Sequence, residues 1–393
     1  MIIIALDLDI RTNTHGGFRM IVMDLNVDNF FAFRNFHINF SYPKKIVNSN
    51  IENESLIGLP NFRYKKVNII MGSNATGKTS LGKMILSIFV LMYKINLDVV
   101  TNCIADKKSD ASFSLDFVNK ENDKYRLYRI DANFDPSDDG EYTTDNTKIQ
   151  IDSVEIKSRE NYETCSRRLD ALMKNKIRND YIHELEKVKG LSWLFSFPLD
   201  SIEPHYNIME DDEYLSVLEY TLKVLDPAIN RVSAIDGVDN AFAIHIHNDF
   251  AIIKDGKILN GDILSSGTKA GIDIADIIAS IKTGKHRFYY CDEKFSYVHS
   301  DIEKGFLSLM ISLLRDDNQL FFTTHNLDIL DMSLPKHSFY FLRKRIYDDG
   351  QVISVVNAAD YLKKNTDSLR NAVDNDLFSI APNLECLDEI ENL

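Results

Sequence analysis

The sequence predicts an α/β protein with a mixed β-sheet core, an N-terminal antiparallel β-meander and an inserted helical lobe. Short alternating apolar runs between Val22 and Phe40 are typical of antiparallel strands. A glycine-rich segment, 72–79, stands between an apolar strand and an amphipathic helix, which is typical of a parallel sheet whose carboxyl edge binds anions. Further apolar strands, 288–291 and 320–324, follow helical stretches and extend the parallel core.

Composition limits the function classes. The chain has 393 residues, of which 44% are hydrophobic and 26% charged, enough for a sizeable core. No apolar run approaches the roughly 20 residues that span a bilayer, so no membrane partner is expected. The four cysteines lack the spacing of a zinc site or disulfide framework, and we expect a cytoplasmic protein. A net charge of −14 argues against a surface that binds nucleic acid everywhere, but leaves a local basic groove open.

The remaining elements follow in chain order. Residues 66–71 form an apolar run that predicts a buried strand, and a helical pattern follows from Leu81 to about Lys94. Strands are predicted at 111–118, 124–132, 243–246 and 250–253, and helices over much of 157–189 and at 212–225. The predominance of helical patterns between the two groups of strands predicts the inserted lobe.

The strongest chemical signal is Gly72-x-x-x-x-Gly77-Lys78-Thr79 between a strand and a helix. Backbone N–H groups of such a loop and the following helix N-terminus form a cradle for phosphates. Lys78 would reach the β- and γ-phosphates, and the Thr79 hydroxyl would bind Mg²⁺. The predicted nucleotide-binding residues are Gly72, Ser73, Asn74, Ala75, Thr76, Gly77, Lys78, Thr79 and Ser80.

Two later strands end in residues suited to phosphoryl chemistry. The apolar strand 288–291 ends in Asp292 and Glu293, so Asp292 can hold the Mg²⁺ shell and Glu293 can polarise an attacking water. A second apolar strand ends in His325. A glycine-rich turn and structural end-of-strand residues are the alternatives, and the order of the motifs along the chain favours the functional interpretation.

The segment Leu264-Ser-Ser-Gly-Thr268 resembles the signature motif of ABC-type ATPases, and it lies between the two nucleotide motifs as in that family. His325 resembles the family's switch histidine. Residues 294–301 resemble the D-loop of RecF-like and SMC-like ATPases, and residues 29–36 resemble the first hairpin of the RecF, SMC and overcoming-lysogenization-defect (OLD) group.

The resemblance implies an ABC-type P-loop ATPase that binds ATP and Mg²⁺ and dimerises head to tail on ATP. It implies catalytic roles for Lys78, Glu293 and His325, metal binding by Thr79 and Asp292, and γ-phosphate contacts in the opposite subunit from three residues of the signature motif, Ser265, Ser266 and Gly267.

The chain departs from the family pattern at two places. Ala75 replaces a glycine that many relatives carry, and no glutamine stands clearly at the Q-loop position, for which Gln150 is a candidate. The 68 residues after His325 leave no room for the Toprim nuclease module of OLD proteins, so the chain is not expected to be a nuclease itself.

A stand-alone ATPase of this size resembles the ATPase subunits of bacterial anti-phage systems of the Septu-like and PARIS-like kind. This resemblance implies a sensor or scaffold, assembled as a homodimer or higher oligomer, that controls a separate effector such as a nuclease. The alternative is a RecF-like DNA-repair or DNA-clamping ATPase. Its phosphate contacts would come from Arg343-Lys-Arg345 or from a basic cluster for which a solvated helix face is an equal explanation. That cluster comprises Arg167, Arg168, Lys174, Lys176 and Arg178.

These assignments divide the chain into five parts: an N-terminal extension (1–21), the first part of the ATPase lobe (22–150), the inserted helical lobe (151–240), the second part of the ATPase lobe (241–360), and a C-terminal helix with an acidic tail (361–393).

Overall fold

The computed structural model describes residues 12–13, 20–46, 49–121, 123–174, 181–186, 188, 191–198, 206, 211–347, 350–364, 366–380 and 390. The strands are β1 (Thr12–Asn13), β2 (Ile21–Asp28), β3 (Phe36–Asn39), β4 (Ser55–Leu56), β5 (Leu59–Arg63), β6 (Val67–Met71), β7 (Ala111–Glu121), β8 (Lys124–Phe134), β9 (Thr147–Glu155), β10 (Trp193–Ser196), β11 (Ile229–Ala234), β12 (Ala241–Ile246), β13 (Asp249–Lys254), β14 (Lys257–Ile258), β15 (Phe288–Asp292), β16 (Gln319–Thr324), β17 (Phe339–Tyr347) and β18 (Gly350–Asn357). The helices are α1 (Lys78–Lys94), α2 (Asp98–Thr101), α3 (Tyr162–Met173), α4 (Tyr181–Leu185), α5 (Asp212–Leu225), α6 (Ser266–Thr283), α7 (Ser300–Leu313), α8 (Ala358–Tyr361) and α9 (Leu369–Asp374).

A seven-stranded mixed sheet forms the centre, in the order β1-β10-β15-β16-β6-β17-β18. Strands β10, β15, β16, β6 and β17 run parallel, and the edge strands β1 and β18 are antiparallel to their neighbours. Every residue of β6, β15 and β16 is buried, as expected for parallel strands covered on both faces. The carboxyl ends of β6, β15 and β16 therefore meet at one edge of the sheet.

Helices cover both faces of this sheet. Because successive side chains of a strand point to opposite faces, Tyr290 and Phe321 pack in the core that contains α1, whereas Tyr289 and Phe322 pack in the core that contains α6. The predicted α/β fold class with a mixed sheet is confirmed.

Two antiparallel sheets flank the central layer. The first has the order β3-β2-β7-β8-β9, which confirms the predicted N-terminal meander. The second has the order β11-β12-β13-β14 and shares a hydrophobic cluster with α5 and α6. Helix α6 thus packs on the central sheet through one side and on this small sheet through the other.

The segment 151–240 differs from the helical expectation. It contains α3, α4 and α5, but also the end of β9, all of β10 and all of β11, and β10 is a strand of the central sheet. Strand β10 has four residues, of which only three are apolar, too short a run for its periodicity to distinguish a strand from a helix. The domain boundaries themselves stay a prediction.

The two ends of the chain are described in part. In the predicted N-terminal extension, β1 pairs with β10, so Thr12 and Asn13 belong to the central sheet. The predicted C-terminal region contains α9, whereas residues 381–389 and 391–393 lie outside the described residues. Within the part of the chain that the structure describes, no helix has the length and hydrophobicity needed to cross a membrane.

Candidate active site

The phosphate loop connects the end of β6 to the start of α1, where its backbone geometry explains the glycine pattern. A Cβ atom on Gly72 would lie 2.7 Å from the Leu342 carbonyl oxygen of β17, so only glycine fits there without a shift. Gly77 has a φ of +98°, a left-handed conformation that glycine adopts without steric cost. Ala75 has a φ of +60°, which accounts for the glycine of the family pattern at this position.

Lys78 lies inside the loop and is 4% exposed. Its Nζ donates to the carbonyl oxygens of Gly72 at 2.8 Å and Ser73 at 3.1 Å, and it forms an ion pair with Glu293 Oε1 at 3.1 Å. The loop is further fixed by Thr76, whose Oγ1 donates to Ser73 O. The ammonium group is therefore held at the mouth of the cradle, beside the proposed base.

Thr79 and Asp292 meet as the sequence predicts. Thr79 Oγ1 donates to Asp292 Oδ2 at 2.7 Å, and Thr323 Oγ1 donates to Asp292 Oδ1 at 2.5 Å. Burial raises the pKa of the Asp292 carboxyl, against the opposing effect of these two hydroxyl groups. A hydroxyl and a carboxylate are hard oxygen ligands of the kind that Mg²⁺ prefers, so the donor set fits the predicted metal.

Glu293 is the first residue after β15 and has a φ of +46°, which turns the chain sharply at the edge of the sheet. Its backbone N–H donates to Thr323 Oγ1 at 3.1 Å, so the same threonine fixes both acidic residues. The Glu293 carboxylate is partly exposed, and its Oε1 lies 4.0 Å from Nδ1 of His325. A non-glycine residue in this conformation is held by its surroundings, and such strain is often found at active sites.

A cavity of about 240 Å³ opens next to Glu293 and His325. Behind it, the buried Glu303 of α7 accepts hydrogen bonds from Thr324 Oγ1 at 2.8 Å and from Asn326 Nδ2 at 2.7 Å. These contacts fix both neighbours of His325, so the end of β16 is tied to α7. The cavity is lined by Glu293, Phe295, Ser296, Val298, Ser300, Glu303, Thr324, His325 and Asn326.

The signature segment is at the N-terminus of α6. Ser265 is the N-cap, since its Oγ accepts the backbone N–H of Thr268 at 3.0 Å, while Ser266 and Gly267 begin the helix. Ser265 and Ser266 are exposed. Among the described residues, no hydrogen bond or ion pair joins these three to the phosphate loop. The chain therefore brings Lys78, Thr79, Asp292, Glu293 and His325 together. It leaves the two serines of the signature segment exposed, while Leu264 and Thr268 are buried.

Sequence reasoning missed two residues that support the site. Thr323 binds Asp292 and the backbone of Glu293, and Tyr290 is fully buried, with its hydroxyl donating to Lys78 O at 2.8 Å. Both residues lie in buried strands whose sequence pattern indicates core packing. The alignment of β15 with β16 identifies Thr323, and the packing of α1 on β15 identifies Tyr290.

The Q-loop candidate does not lie in this site. Gln150 is on β9 of the meander, and its Nε2 donates to Met173 O. The strand next to β15 is β10, whose last residue, Ser196, is paired with Cys291. The following residue is the buried Phe197, whose ring lies 6.2 Å from that of Tyr290 in a tilted arrangement. The residue that follows β10, next to the strand that carries Asp292, is therefore the aromatic Phe197.

The predicted basic cluster is only partly described. Arg168 Nη1 pairs with Glu160 at 2.6 Å and donates to Glu155 O at 3.1 Å, so its charge is compensated within the chain. Arg167 is exposed and its Nε donates to Glu163 O, and Lys174 follows the end of α3. Lys176 and Arg178 lie outside the described residues.

No protein-family profile matches the sequence, and no curated protein matches it. Among solved structures, the chain is similar to an SMC head bound to the winged-helix domain of ScpA, with 14% identity, 87% of this chain and 99% of that chain covered, and a TM-score of 0.49. It is also similar to the SMC head domain from Thermotoga maritima, with 14% identity, 86% of this chain and 98% of that chain covered, and a TM-score of 0.41. A third similar structure is the recombination mediator RecF with ATPrS, with 13% identity, 87% of this chain and 99% of that chain covered, and a TM-score of 0.36. Similarity at this distance leaves the function to be argued from the site itself.

Proposed function

We propose that this chain is an ABC-type ATPase that binds ATP with Mg²⁺ and hydrolyses it to ADP and phosphate. The observation that carries the proposal is the convergence, at one sheet edge, of a phosphate cradle, a buried lysine, a hydroxyl–carboxylate pair and a partly exposed glutamate. Any one of these has structural explanations. Lys78 pairs with Glu293, Thr79 binds Asp292, and Thr323 links the two acidic residues. This combination matches the requirements of phosphoryl transfer to water.

Each residue has a role that follows from its position. Lys78 exchanges its ion pair with Glu293 for phosphate oxygens, which frees the Glu293 carboxylate to accept a proton from the attacking water. His325, at 4.0 Å from Glu293, orients that water or the γ-phosphate. Thr79 and Asp292 would hold Mg²⁺, which when bound neutralises the charge that develops on the phosphates.

The exposed serines of the signature segment support a composite site made by two copies. Ser265, Ser266 and Gly267 present a hydroxyl-rich helix N-terminus, which favours negative charge, and a second chain can supply the phosphate. We propose that ATP binding joins two copies head to tail and that hydrolysis releases them. SMC heads in solved structures are bound to ScpA, and a protein partner is likewise proposed for this chain.

The test compares wild type with Glu293→Gln, measuring ATP turnover and solution mass with and without ATP. We expect turnover to fall about 10²–10⁴-fold in the variant because the general base is lost, and the ATP-bound dimer to accumulate. Glu141→Gln is a matched control, since Glu141 is an exposed carboxylate between β8 and β9, outside the site. Equal turnover in Glu293→Gln and wild type would refute the role of Glu293.

The biological setting is proposed on resemblance. We place the chain in the cytoplasm as the sensor or scaffold of an anti-phage system, with a separate effector such as a nuclease, and not as a nuclease itself. Protection against phage should then require both the effector gene and an intact Glu293. Protection that survives Glu293→Gln would argue against ATP-gated control.

A direct nucleic-acid clamp is the alternative. It is less favoured because Arg168 is already paired with Glu160 and the chain carries a net charge of −14. Duplex binding with a steep decrease in affinity as salt rises would support the clamp.

A further inference from the structure

A second cavity, of about 410 Å³, lies at the amino-terminal end of the parallel strands, opposite to the end that carries the phosphate loop. Its lining includes Lys65, which precedes β6, and Tyr340, near the start of the parallel strand β17. The phosphate loop follows the other end of β6, so the length of that strand separates the cavity from the candidate active site. Residues of β3, α3, β18 and α8 complete the wall.

Lys65 is the buried lysine of this wall, with only 6% of it exposed. Its Nζ donates to Asn39 O at 3.1 Å and to Tyr340 Oη at 2.8 Å. An ammonium group has three N–H donors, so one remains for a ligand. Burial lowers the pKa of Lys65 to about 7, and an anionic group in the cavity would restore the charged form because opposite charges stabilise each other.

Glu163 provides an acceptor on the wall. It lies in the first turn of α3, and its Oε2 is buried with no hydrogen-bond partner among the described residues. A buried acceptor without a partner is unfavourable, and a donor on a ligand would satisfy it. Asp360 of α8 adds a second carboxylate to the wall.

The charges of the wall select the ligand class. A polyanion such as a nucleotide would be repelled by Glu163 and Asp360, and a simple cation would be repelled by Lys65 and Lys44. The remaining charged group, His37, is paired with Asp24 at 2.8 Å, which raises the pKa of His37. A ligand that carries one positive and one negative charge can pair with both kinds of side chain in the wall. The cavity volume is typical of small-molecule sites.

We propose that this cavity binds a free amino acid, with its carboxylate at Lys65 and its ammonium group at Glu163 and Asp360. The proposal does not depend on ATP hydrolysis, since the two sites occupy opposite edges of the sheet. It gives the chain a small-molecule site separate from the nucleotide.

The experiment titrates the full-length chain, without ATP, with each of the twenty amino acids by calorimetry. We expect at least one to bind, and Glu163→Gln and Lys65→Met each to weaken it about 10- to 100-fold, the value of a charged hydrogen bond. Glu141→Gln, an exposed residue outside the cavity, should not change the affinity. Lys65→Met removes buried contacts, so the fold of this variant is checked by circular dichroism. If Lys65→Met is unfolded, Glu163→Gln alone tests the proposal.

Derivatives of the bound amino acid test the proposed orientation. The N-acetyl form removes the ammonium charge and the amide form removes the carboxylate, so both should bind much more weakly. The proposal is overturned if no amino acid binds, if Glu163→Gln leaves the affinity unchanged, or if the N-acetyl form binds as well as its parent.

Discussion

Gly82 of the phosphate-loop helix provides a sharp test of how the site is held. It lies one turn after Lys78 in α1, against the ring of Tyr290. A Cβ atom at Gly82 would lie 2.5 Å from Tyr290 Cε1, 2.8 Å from Cζ and 2.9 Å from Cδ1, well inside contact distance. The ring cannot easily yield, because Tyr290 is fully buried and its hydroxyl donates to Lys78 O.

The two opposing effects of Gly82→Ala can be compared. Alanine favours the helix by about 1 kcal/mol over glycine. Overpacking costs about 1–3 kcal/mol, and displacement of the ring loses a hydrogen bond worth about 0.5–1.5 kcal/mol. We therefore expect a net loss of about 1–3 kcal/mol in the free energy of unfolding, despite the better helix former.

Two other helical glycines are matched controls. Gly305 of α7 has open space around the added Cβ, so Gly305→Ala should stabilise the chain by about 1 kcal/mol. Gly271 of α6 faces the flexible ends of Leu225 and Leu222, at 2.4 and 2.9 Å, so its alanine variant should lie between the two. Urea unfolding measures all three. If Gly82→Ala is as stable as Gly305→Ala, Tyr290 does not fix the helix and the reasoning fails.

Three further predictions concern α6. Lys294 Nζ pairs with Asp273 Oδ2 at 2.8 Å, so the residue after Glu293 is joined to α6. A double-mutant cycle with Lys294→Met and Asp273→Asn should give a coupling energy of about 0.5–3 kcal/mol, and additive effects on stability would refute the link. Burial raises the pKa of Asp276 from 3.8 to about 7, so between these two pH values the native state binds a proton that the unfolded state has lost. The free energy of unfolding should therefore fall as pH rises from about 4 to 7. Asp276→Asn should flatten this dependence when unfolding is measured across that pH range, and an unchanged slope would contradict the prediction. Ser265→Ala should lower the free energy of unfolding by about 1 kcal/mol because the helix cap is lost, whereas Ser265→Asn should keep the stability. Any loss of ATPase rate in the asparagine variant, relative to wild type, then reports on the hydroxyl group itself.

The candidate site was predictable to the extent that it depends on local sequence. A phosphate loop is one continuous segment, and strand ends can be recognised from short apolar runs, so Lys78, Thr79, Asp292, Glu293 and His325 could be named without a structure. The conclusion that they lie together needs the rule that parallel strands share a carboxyl edge and, in addition, the adjacency of β6, β16 and β15 in the sheet.

The supporting residues could not be predicted in this way. The hydroxyl of Thr323 reaches Asp292 because β16 is aligned residue for residue with β15. Gly82 and Tyr290 are 208 positions apart and meet only when α1 packs on the sheet. The strand β10 falls within the segment predicted as a helical lobe because its three apolar residues carry too little periodicity to reveal their partner strand.

The α/β class, the phosphate loop and the order of the motifs each depend on contiguous residues, so they can be predicted without coordinates. The strand order, the Lys78–Glu293 ion pair, the exposure of Ser265 and Ser266 and the Lys65 cavity are seen only in the folded chain. The physical reason is that contacts between distant segments depend on register and packing, which the hydrophobic pattern of any single segment does not contain.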